Sequence, residues 1–218
     1  VDTRSVSEGG PRMTYFEVLV ALAYTAFADA PVDVAIVEVG MGGSWDATNV
    51  VEADVAVITP VGIDHQHFLG DAIEDIATEK SGIIHPDAIA VSAPQEPEVV
   101  EILRARAEEV GAQLKLEGLD FGVLERDVAV GGQMVSLRGL AGDHPDLLLN
   151  LHGAHQASNA ALAVAAVEAF LGGGEQPLAE EVLLLVAQGC GLLEVLLLDG
   201  GFLAAADLRD AVVEFAQL

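Results

Sequence analysis

The chain has 218 residues, is 52% hydrophobic and carries a formal net charge of −26. It is long enough to bury a sizeable core, in one large domain or in one domain and part of a second. The acidic excess, with only two lysines, Lys80 and Lys115, argues against a nucleic-acid-binding protein, which needs a basic surface.

The same composition gives an expectation about location. No apolar run is long enough to cross a bilayer, and residues 1–13 lack the basic and apolar regions of a signal peptide. The single cysteine, Cys190, cannot form an intrachain disulfide and fits a reducing compartment. We therefore expect a cytoplasmic protein that does not contact membranes.

The first element in the chain is predicted to be a helix that begins after Thr14. The side chain of Thr14 can form a capping box with Glu17, and apolar residues then recur at helical spacing up to Phe27. The helix should end near Ala30 and Pro31. We predict that it packs on a sheet.

Two short apolar runs follow, Val34–Val39 and Val55–Thr59. Their length and their Val and Ile content are typical of neighbouring strands buried on both faces of a parallel sheet. Each run precedes a loop rich in Gly, Asp and His. Ligands of open parallel sheets bind beyond the carboxyl ends of the strands, so both loops should lie at one ligand-binding edge.

Three polar side chains are predicted to converge on that edge. Glu38 lies inside the first run, where an unpaired carboxylate is costly to bury. His65 follows the second run, and Lys80 follows a helix predicted over Asp71–Thr78. A histidine or lysine in such a position is more often a surface residue than a ligand. The proximity of a carboxylate on the neighbouring strand favours a ligand role for His65.

The glycine-rich loop after the first run allows more than one interpretation. On spacing alone, a tight turn without a ligand explains Gly42 and Gly43 best. Asp46 and Asn49 can cap a helix or form Asx turns. Trp45 fits two interpretations equally well, a cover for the core or a stacking surface for a flat heterocycle.

The remaining pattern predicts further core elements, a β meander and a hinge. A strand at 88–91, a helix at 98–110 with Gly111 as its C-cap, and a strand at 113–116 come first. The meander comprises 121–126, 134–140 and 146–151. An Ala-rich helix at 157–171 then leads to Gly172–Gly174, which is typical of a hinge between domains.

Four motifs in this chain occur in a recognisable order. They are E-V-G-M-G-G-S-W-D-A-T-N at Glu38–Asn49, I-D-H with L-G a few residues later at Ile63–Gly70, E-K-S-G-I-I at Glu79–Ile84, and G-A-H-Q-A-S-N-A at Gly153–Ala160. In wording and spacing they resemble the folylpolyglutamate synthase and dihydrofolate synthase family, within the wider Mur ligase group. Several long motifs in order are a far more specific signal than one glycine pattern.

The chain also departs from that family. Ser44 stands where the family has an Arg, and Leu192 stands where the family has an Arg that meets the ATP phosphates. Phe202 and Leu203 replace a His and an Asn after Asp199. No counterpart of the phosphate-binding loop is present in this sequence. The resemblance covers roughly residues 10–172 well and the remainder poorly.

The resemblance implies a particular fold and domain organisation. The fold class is α/β, with a mostly parallel sheet flanked by helices, a short β meander and the start of a second α/β domain. Residues 1–172 would form a central ATP-binding ligase domain that lacks its phosphate-loop portion. Residues 173–218 would begin a C-terminal ligase domain that is atypical or truncated.

The resemblance also implies the site residues. Glu38 and His65 would hold one Mg²⁺. Lys80 would be carbamylated, which gives it the hard oxygen donors that Mg²⁺ prefers, and this modification requires a neutral amine. We count Lys80 and His65 as catalytic. The nucleotide contacts would come from Asn159 and Asp199 and from the loop that contains Gly42, Gly43 and Asn49.

The function implied is that of an ATP-dependent ligase that adds L-glutamate to folate or dihydropteroate through an acyl phosphate. Its partners would be these small molecules and ATP, with no nucleic acid, and we expect a monomer. Two alternatives remain open: a Mur-type peptidoglycan ligase, and a catalytically inactive remnant or binding module. The departures at Ser44, Leu192 and Phe202 favour the remnant, whereas the wording of the first motif favours folate.

Overall fold

The structure of the protein is a computed structural model that describes residues 12–30, 32, 34–62, 72–180, 182–183 and 211–216, the last six by their backbone alone. The helices are α1 (Tyr15–Asp29), α2 (Ile73–Ser81), α3 (Pro97–Val110) and α4 (Ala154–Gly172), with a 3₁₀ helix at Ala47–Val50. The strands are β1 (Val34–Glu38), β2 (Val55–Ile58), β3 (Ile89–Ser92), β4 (Gln113–Leu116), β5 (Gly122–Ala129), β6 (Gly132–Arg138), β7 (Asp143–Leu149) and β8 (Ala211–Ala216).

The main sheet has five strands in the order β1-β8-β2-β3-β4. Every pair in it is parallel, which confirms the predicted α/β class. Both β2 and β3 are buried along their whole length, as their Val and Ile content predicted. By contrast, β1 is only partly buried and ends in the exposed Glu38.

One prediction about this sheet is wrong. The strands β1 and β2 are consecutive in the chain but are not neighbours, because β8 lies between them and pairs with both. Neighbouring strands lie about 4.8 Å apart, so the carboxyl ends of β1 and β2 are separated by roughly 10 Å. A long loop and a 3₁₀ helix connect β1 to β2 and leave room for this intervening strand.

A second sheet of three antiparallel strands, in the order β5-β6-β7, confirms the predicted meander. The described core has two clusters. One joins this small sheet, α4 and the strands β2 and β3 around residues such as Phe121 and Leu137. The other joins α2, α3 and the main sheet around Ile58, Ile76 and Leu103. The main sheet thus has helices on both of its faces, as expected for a parallel sheet.

The helix α1 begins as predicted but does not pack as predicted. Thr14 and Glu17 form the capping box. Within the described residues, no residue of α1 is buried. Its contacts are with the segment after β1: the ring of Phe16 lies against Gly40, and Tyr24 Oη donates to the carbonyl oxygen of Thr48 at 2.7 Å. The expectation of a helix packed on the sheet is therefore corrected.

The bounds of two other helices also differ from the predictions. Lys80 does not follow α2, because the helix continues through Glu79 to Ser81. Helix α4 begins three residues earlier than predicted, at Ala154, after Gly153. Helix α3 ends at Gly111 in the left-handed conformation, as predicted. No helix in the described part of the chain is both long and apolar enough to span a membrane.

Candidate active site at the carboxyl edge of the main sheet

Glu38 is the last residue of β1, and its side chain is exposed at the carboxyl edge of the sheet. The prediction that it lies inside a buried run is therefore wrong, and no burial penalty applies to it. Among the described residues, the side chain of Glu38 has no hydrogen bond or ion pair. It is a carboxylate that the fold leaves available to a ligand.

The loop after β1 is held by Asp46, which is buried. Its Oδ2 accepts a hydrogen bond from the Met41 backbone N–H at 2.8 Å. Its Oδ1 accepts from the backbone N–H of Thr48 at 2.9 Å and from the Thr48 hydroxyl at 2.7 Å. Asp46 is thus the N-cap of the 3₁₀ helix, which confirms one of the two roles predicted for it.

Gly42 and Gly43 are both buried where this loop meets the end of α2. Gly42 has φ +79°, a conformation that favours glycine. A Cβ on Gly43 would overlap the carbonyl oxygen of Glu79 and would lie 3.0 Å from Lys80 Cα. The glycines therefore allow the loop to contact the backbone of α2 directly.

Lys80 lies in the last turn of α2, where the helix dipole favours a cation. Only 6% of the residue is exposed, which is rare for a lysine. The ordinary expectation for a lysine at this position, a solvated surface side chain, is therefore wrong. The structure brings the backbone of Lys80 against Gly43 in the loop after β1, and its predicted convergence with Glu38 stays a prediction.

Both the nitrogen and the oxygen of the Asn49 side-chain amide contact other protein groups. Its Nδ2 donates to the carbonyl oxygens of Ser44 and Gly82, each at 3.3 Å, and its Oδ1 lies 2.9 Å from His85 Nε2. Burial lowers the pKa of His85; the charge of Glu52 raises it and that of Arg106 lowers it. Any contact between Asn49 and a nucleotide has to compete with these bonds.

Asn159 is exposed on α4, next to Ser158, whose side chain bonds to Glu117 just after the carboxyl end of β4. It was expected in the first turn, but α4 begins at Ala154, so Asn159 lies in the second turn. The unpaired backbone N–H groups belong to the residues before it. Asn159 Nδ2 makes one long bond, 3.5 Å, to Gln156 Oε1, and its side chain is otherwise open to solvent.

The other predicted ligands, His65 and Asp199, lie outside the described residues. Within the described part of the chain, no three His, Cys, Asp or Glu residues are grouped closely enough to hold a metal ion. Glu38 by itself fits such an ion, because it is a free carboxylate and hard oxygen donors suit Mg²⁺.

Glu117 was not predicted to matter. It follows β4 and borders a cavity of about 310 Å³ that Phe121 and Arg138 also line. Burial raises the pKa of Glu117, while a hydrogen bond from Ser158 Oγ, 2.7 Å from its Oε2, lowers it. This bond ties the end of β4 to the first part of α4. Nothing in the sequence around Glu117, a single charged residue after a short strand, predicted this contact.

Glu79 begins the E-K-S-G-I-I motif, but the sequence predicted no role for it. Its carboxylate accepts hydrogen bonds from Ser44 Oγ at 2.6 Å and from the Trp45 backbone N–H at 3.1 Å. The sequence offered one signal, since Glu79 precedes Lys80, the lysine predicted to be functional. The indole of Trp45 is 55% exposed, so Trp45 does not act as a cover for the core.

Comparison with known proteins identifies the class to which this site belongs. The chain matches the Mur ligase middle domain over residues 8–167, and it belongs to that family. Among curated relatives, it is 56% identical to the dihydrofolate synthase/folylpolyglutamate synthase of Mycobacterium tuberculosis over 178 residues, 79% of this chain and 37% of the relative. It is 37% identical to the protein of the same name from Bacillus subtilis, over 71% of this chain and 36% of the relative.

Solved structures agree with these relatives. A folylpolyglutamate synthase of M. tuberculosis complexed with ADP and AMPPCP superposes with a TM-score of 0.78 at 51% identity, over 85% of this chain and 42% of that one. A complex of FPGS, a folylpolyglutamate synthase, with AMPPCP and folate gives a TM-score of 0.79 at 31% identity. The match covers 86% of this chain and 46% of that one. The chain therefore spans less than half the length of the relatives it matches.

Proposed function

We propose that this chain is part of an ATP-dependent ligase that adds L-glutamate to folate or dihydropteroate. The similar proteins named above support the substrate class. The observation within this chain that carries the proposal is the position of Lys80, which is buried against the glycine-rich loop at the carboxyl edge of a parallel sheet. That edge is where open α/β sheets bind their ligands.

The proposed reaction has two steps. The γ-phosphoryl group of ATP passes to a substrate carboxylate, and ADP leaves. The amine of glutamate then attacks the acyl phosphate, phosphate leaves, and the amine loses a proton as the amide forms. Negative charge gathers on the phosphoryl oxygens in both steps, so catalysis depends on positioned positive charge.

Several residues would serve this reaction. Glu38 and His65 would hold a Mg²⁺, and carbamylated Lys80 would add oxygen donors for a second. The metal would supply positive charge to the phosphoryl oxygens. Asn159 and Asp199 would orient the nucleotide. Gly42 and Gly43 would keep the loop close to α2, and Asn49 would fix that loop from within.

The organisation of the whole protein is also part of the proposal. Residues 1–172 would belong to the central ligase domain, and β8 adds a strand to the main sheet of that domain. The next domain would begin in the remainder of residues 173–218. We expect a cytoplasmic monomer. The inactive remnant remains a second candidate, because Ser44 replaces an arginine of the family motif within the loop that contacts α2.

Titration of the chain with Mn²⁺ tests the metal part of this proposal. The native chain should bind weakly, because a metal ion with few protein ligands keeps most of its waters. Glu38→Gln should weaken binding by about tenfold or more, in line with the loss of one charged ligand. Glu125→Gln, which removes an exposed carboxylate from β5, is the matched control. Equal binding by native chain and Glu38→Gln would remove Glu38 from the site.

An assay of the full-length protein tests the reaction. Sustained ADP release, beyond the first turnover, should require both glutamate and either folate or dihydropteroate, and Lys80→Ala should abolish it. Lys80→Arg should be equally inactive, because a guanidinium cannot be carbamylated. A full-length protein that binds ATP but releases no ADP with either pterin substrate would support the inactive remnant.

A further inference from the structure

Glu79 joins two segments that are far apart in the sequence. Its backbone carbonyl oxygen accepts hydrogen bonds from the Ser44 N–H at 3.0 Å and the Gly82 N–H at 3.2 Å. Its carboxylate holds the next part of the same loop, since Oε2 accepts from Ser44 Oγ and Oε1 accepts from the Trp45 N–H. One residue of α2 thus binds two consecutive residues of the loop through three separate oxygen atoms.

The packing around these bonds is close. A Cβ on Gly82 would overlap Ser44, and a Cβ on Gly42 would lie 3.1 Å from Glu79 Cγ and 3.1 Å from Trp45 Cε2. With Gly43 against the backbone of Lys80, the loop at 42–45 touches the last turn of α2 along its whole length. At Gly43 and Gly82, nothing larger than hydrogen fits without displacing one segment from the other.

Each of the two segments carries one side chain of interest next to this contact, Lys80 on α2 and Trp45 in the loop. Lys80 directly follows Glu79 and is buried, whereas Trp45 is fixed through its backbone N–H and leaves its ring exposed. Charge-assisted hydrogen bonds to a carboxylate are stronger than neutral ones. The Glu79 side chain is only half-buried, so it does not belong to the packed core. The role left for its hydrogen bonds is to hold the loop and the end of α2 at a fixed distance.

We propose that Glu79 is a positioning residue that clamps the loop at 42–45 to the last turn of α2 and so fixes Lys80 relative to that loop. The importance of Lys80 rests on the proposed function, but the clamp itself is a property of this chain. Without the carboxylate, the loop separates from α2 more often, and Lys80 becomes accessible during each separation. Local openings of this kind are governed by their own free energy rather than by global unfolding.

The reactivity of the two lysines provides the test. Lys80 and Lys115 are the only lysines in the chain, so Lys115 on β4 is an internal reference. The labelling rate of each amine by an acylating reagent can be followed by peptide mass spectrometry. Glu79→Ala should raise the ratio of Lys80 to Lys115 labelling by roughly tenfold, as expected for the loss of a pair of charge-assisted hydrogen bonds. The control Glu74→Ala, in the first turn of the same helix, should leave the ratio unchanged.

The fluorescence of Trp45 gives an independent readout, because it is the only tryptophan. Glu79→Ala should alter its emission and its quenching by acrylamide, and Glu74→Ala should not. If Glu79→Ala does not fold, Ser44→Asp provides the same test from the exposed side of the contact, since it places a second carboxylate against Glu79. Circular dichroism and a urea midpoint near the native value establish that each variant is folded.

The outcomes separate the clamp from the function. A raised Lys80 ratio with altered Trp45 emission in a folded Glu79→Ala or Ser44→Asp variant supports the clamp, even if the full-length protein shows no ligase activity. Unchanged lysine reactivity in folded variants overturns it, even if the full-length protein is an active ligase. In an active full-length protein, Glu79→Ala should lower kcat, because the residue positions Lys80.

Discussion

Two carboxylates in different parts of the fold show how differently this chain uses the same chemical group. Glu168 on α4 is fully buried, and it accepts hydrogen bonds from the N–H groups of Leu140 at 2.5 Å and Ala141 at 3.2 Å. His144 Nε2 lies 2.9 Å from its other oxygen. Glu38, at the carboxyl edge of the main sheet, is exposed and has no partner among the described residues. Glu168 is committed to structure, while Glu38 is free for a ligand.

The comparison indicates where function can reside in this chain. Around Glu168, the turn between β6 and β7 packs so closely that a Cβ on Gly139 would overlap the carboxylate. No ligand can enter there without breaking the core. At the sheet edge, Asp46 and Glu79 hold the loop in place, and Glu38, Trp45 and Asn159 keep solvent-facing atoms. The polar groups that hold the fold are therefore distinguishable from those open to solvent by their hydrogen bonds.

The largest effect on stability should come from Glu168→Ala. The change leaves two backbone N–H groups and His144 without their acceptor inside the core, which should cost about 2–4 kcal/mol. Glu109→Ala, which removes an exposed ion pair with Arg106, is the matched control and should cost less than about 1 kcal/mol. Urea denaturation measures both. Equal losses in the two variants would contradict the structural role of Glu168.

A smaller loss should follow from Asp46→Ala at the sheet edge. The variant removes three hydrogen bonds that hold the loop after β1, and we expect a loss of about 1–3 kcal/mol. Asp46→Asn should lose less, because its amide oxygen can still accept. The exposed Asp75→Ala in the first turn of α2 is the control. A urea midpoint for Asp46→Ala equal to that of Asp75→Ala would show that the loop is not held by this carboxylate.

The smallest effect, which should depend on pH, is expected for Glu117→Gln. Burial raises the pKa of Glu117 above its ordinary value of 4.5, so the folded state binds a proton more readily than the unfolded state. The stability from this group is therefore present below pH 4.5 and is lost as the pH rises through the raised folded pKa. Glutamine does not titrate and can still accept from Ser158. The variant should gain relative to the native chain as the pH rises from 4.5 to 7.

Urea midpoints at several pH values across that range check the sign. Glu125→Gln lies on β5, the next strand along the chain. It controls for the removal of one negative charge from a strongly acidic chain. A difference between Glu117→Gln and the native chain that stays constant with pH, or that favours the native chain at pH 7, would contradict the assignment. Such a result would mean that Ser158 and solvent stabilise the charged carboxylate more than burial destabilises it.

Much of the fold could be predicted from local patterns. The strands β2 and β3 follow from short runs of Val, Ile and Ala, and α1 follows from its capping box. The meander follows from alternating residues between turns. These signals are local because burial on one or both faces imposes a period on neighbouring residues. The helix bounds were predicted less well, as at α2, which continues through Ser81 although Glu79 and Lys80 are residue types that favour helix.

The candidate site was less predictable, because its contacts join distant residues. The motifs indicated Glu38, Lys80 and the glycines, and the structure places Lys80 against the glycine loop. No local pattern indicated that Glu79 would bind Ser44 and Trp45, or that His144 in the meander would meet Glu168 in α4. The position of β8 was equally hidden. The order of strands in a sheet depends on pairing between distant segments, which no periodicity encodes.

The place of β8 in the main sheet has a consequence for how the chain acquires its structure. Val34 pairs with Ala211, nearly the full length of the chain away, and β2 depends on the same late strand. Closing so long a loop is entropically slow, and proteins dominated by such contacts fold slowly. During synthesis, the facing sides of β1 and β2 stay unpaired until residue 211 has left the ribosome. For that interval the nascent chain presents open strand edges, the surfaces through which chains aggregate.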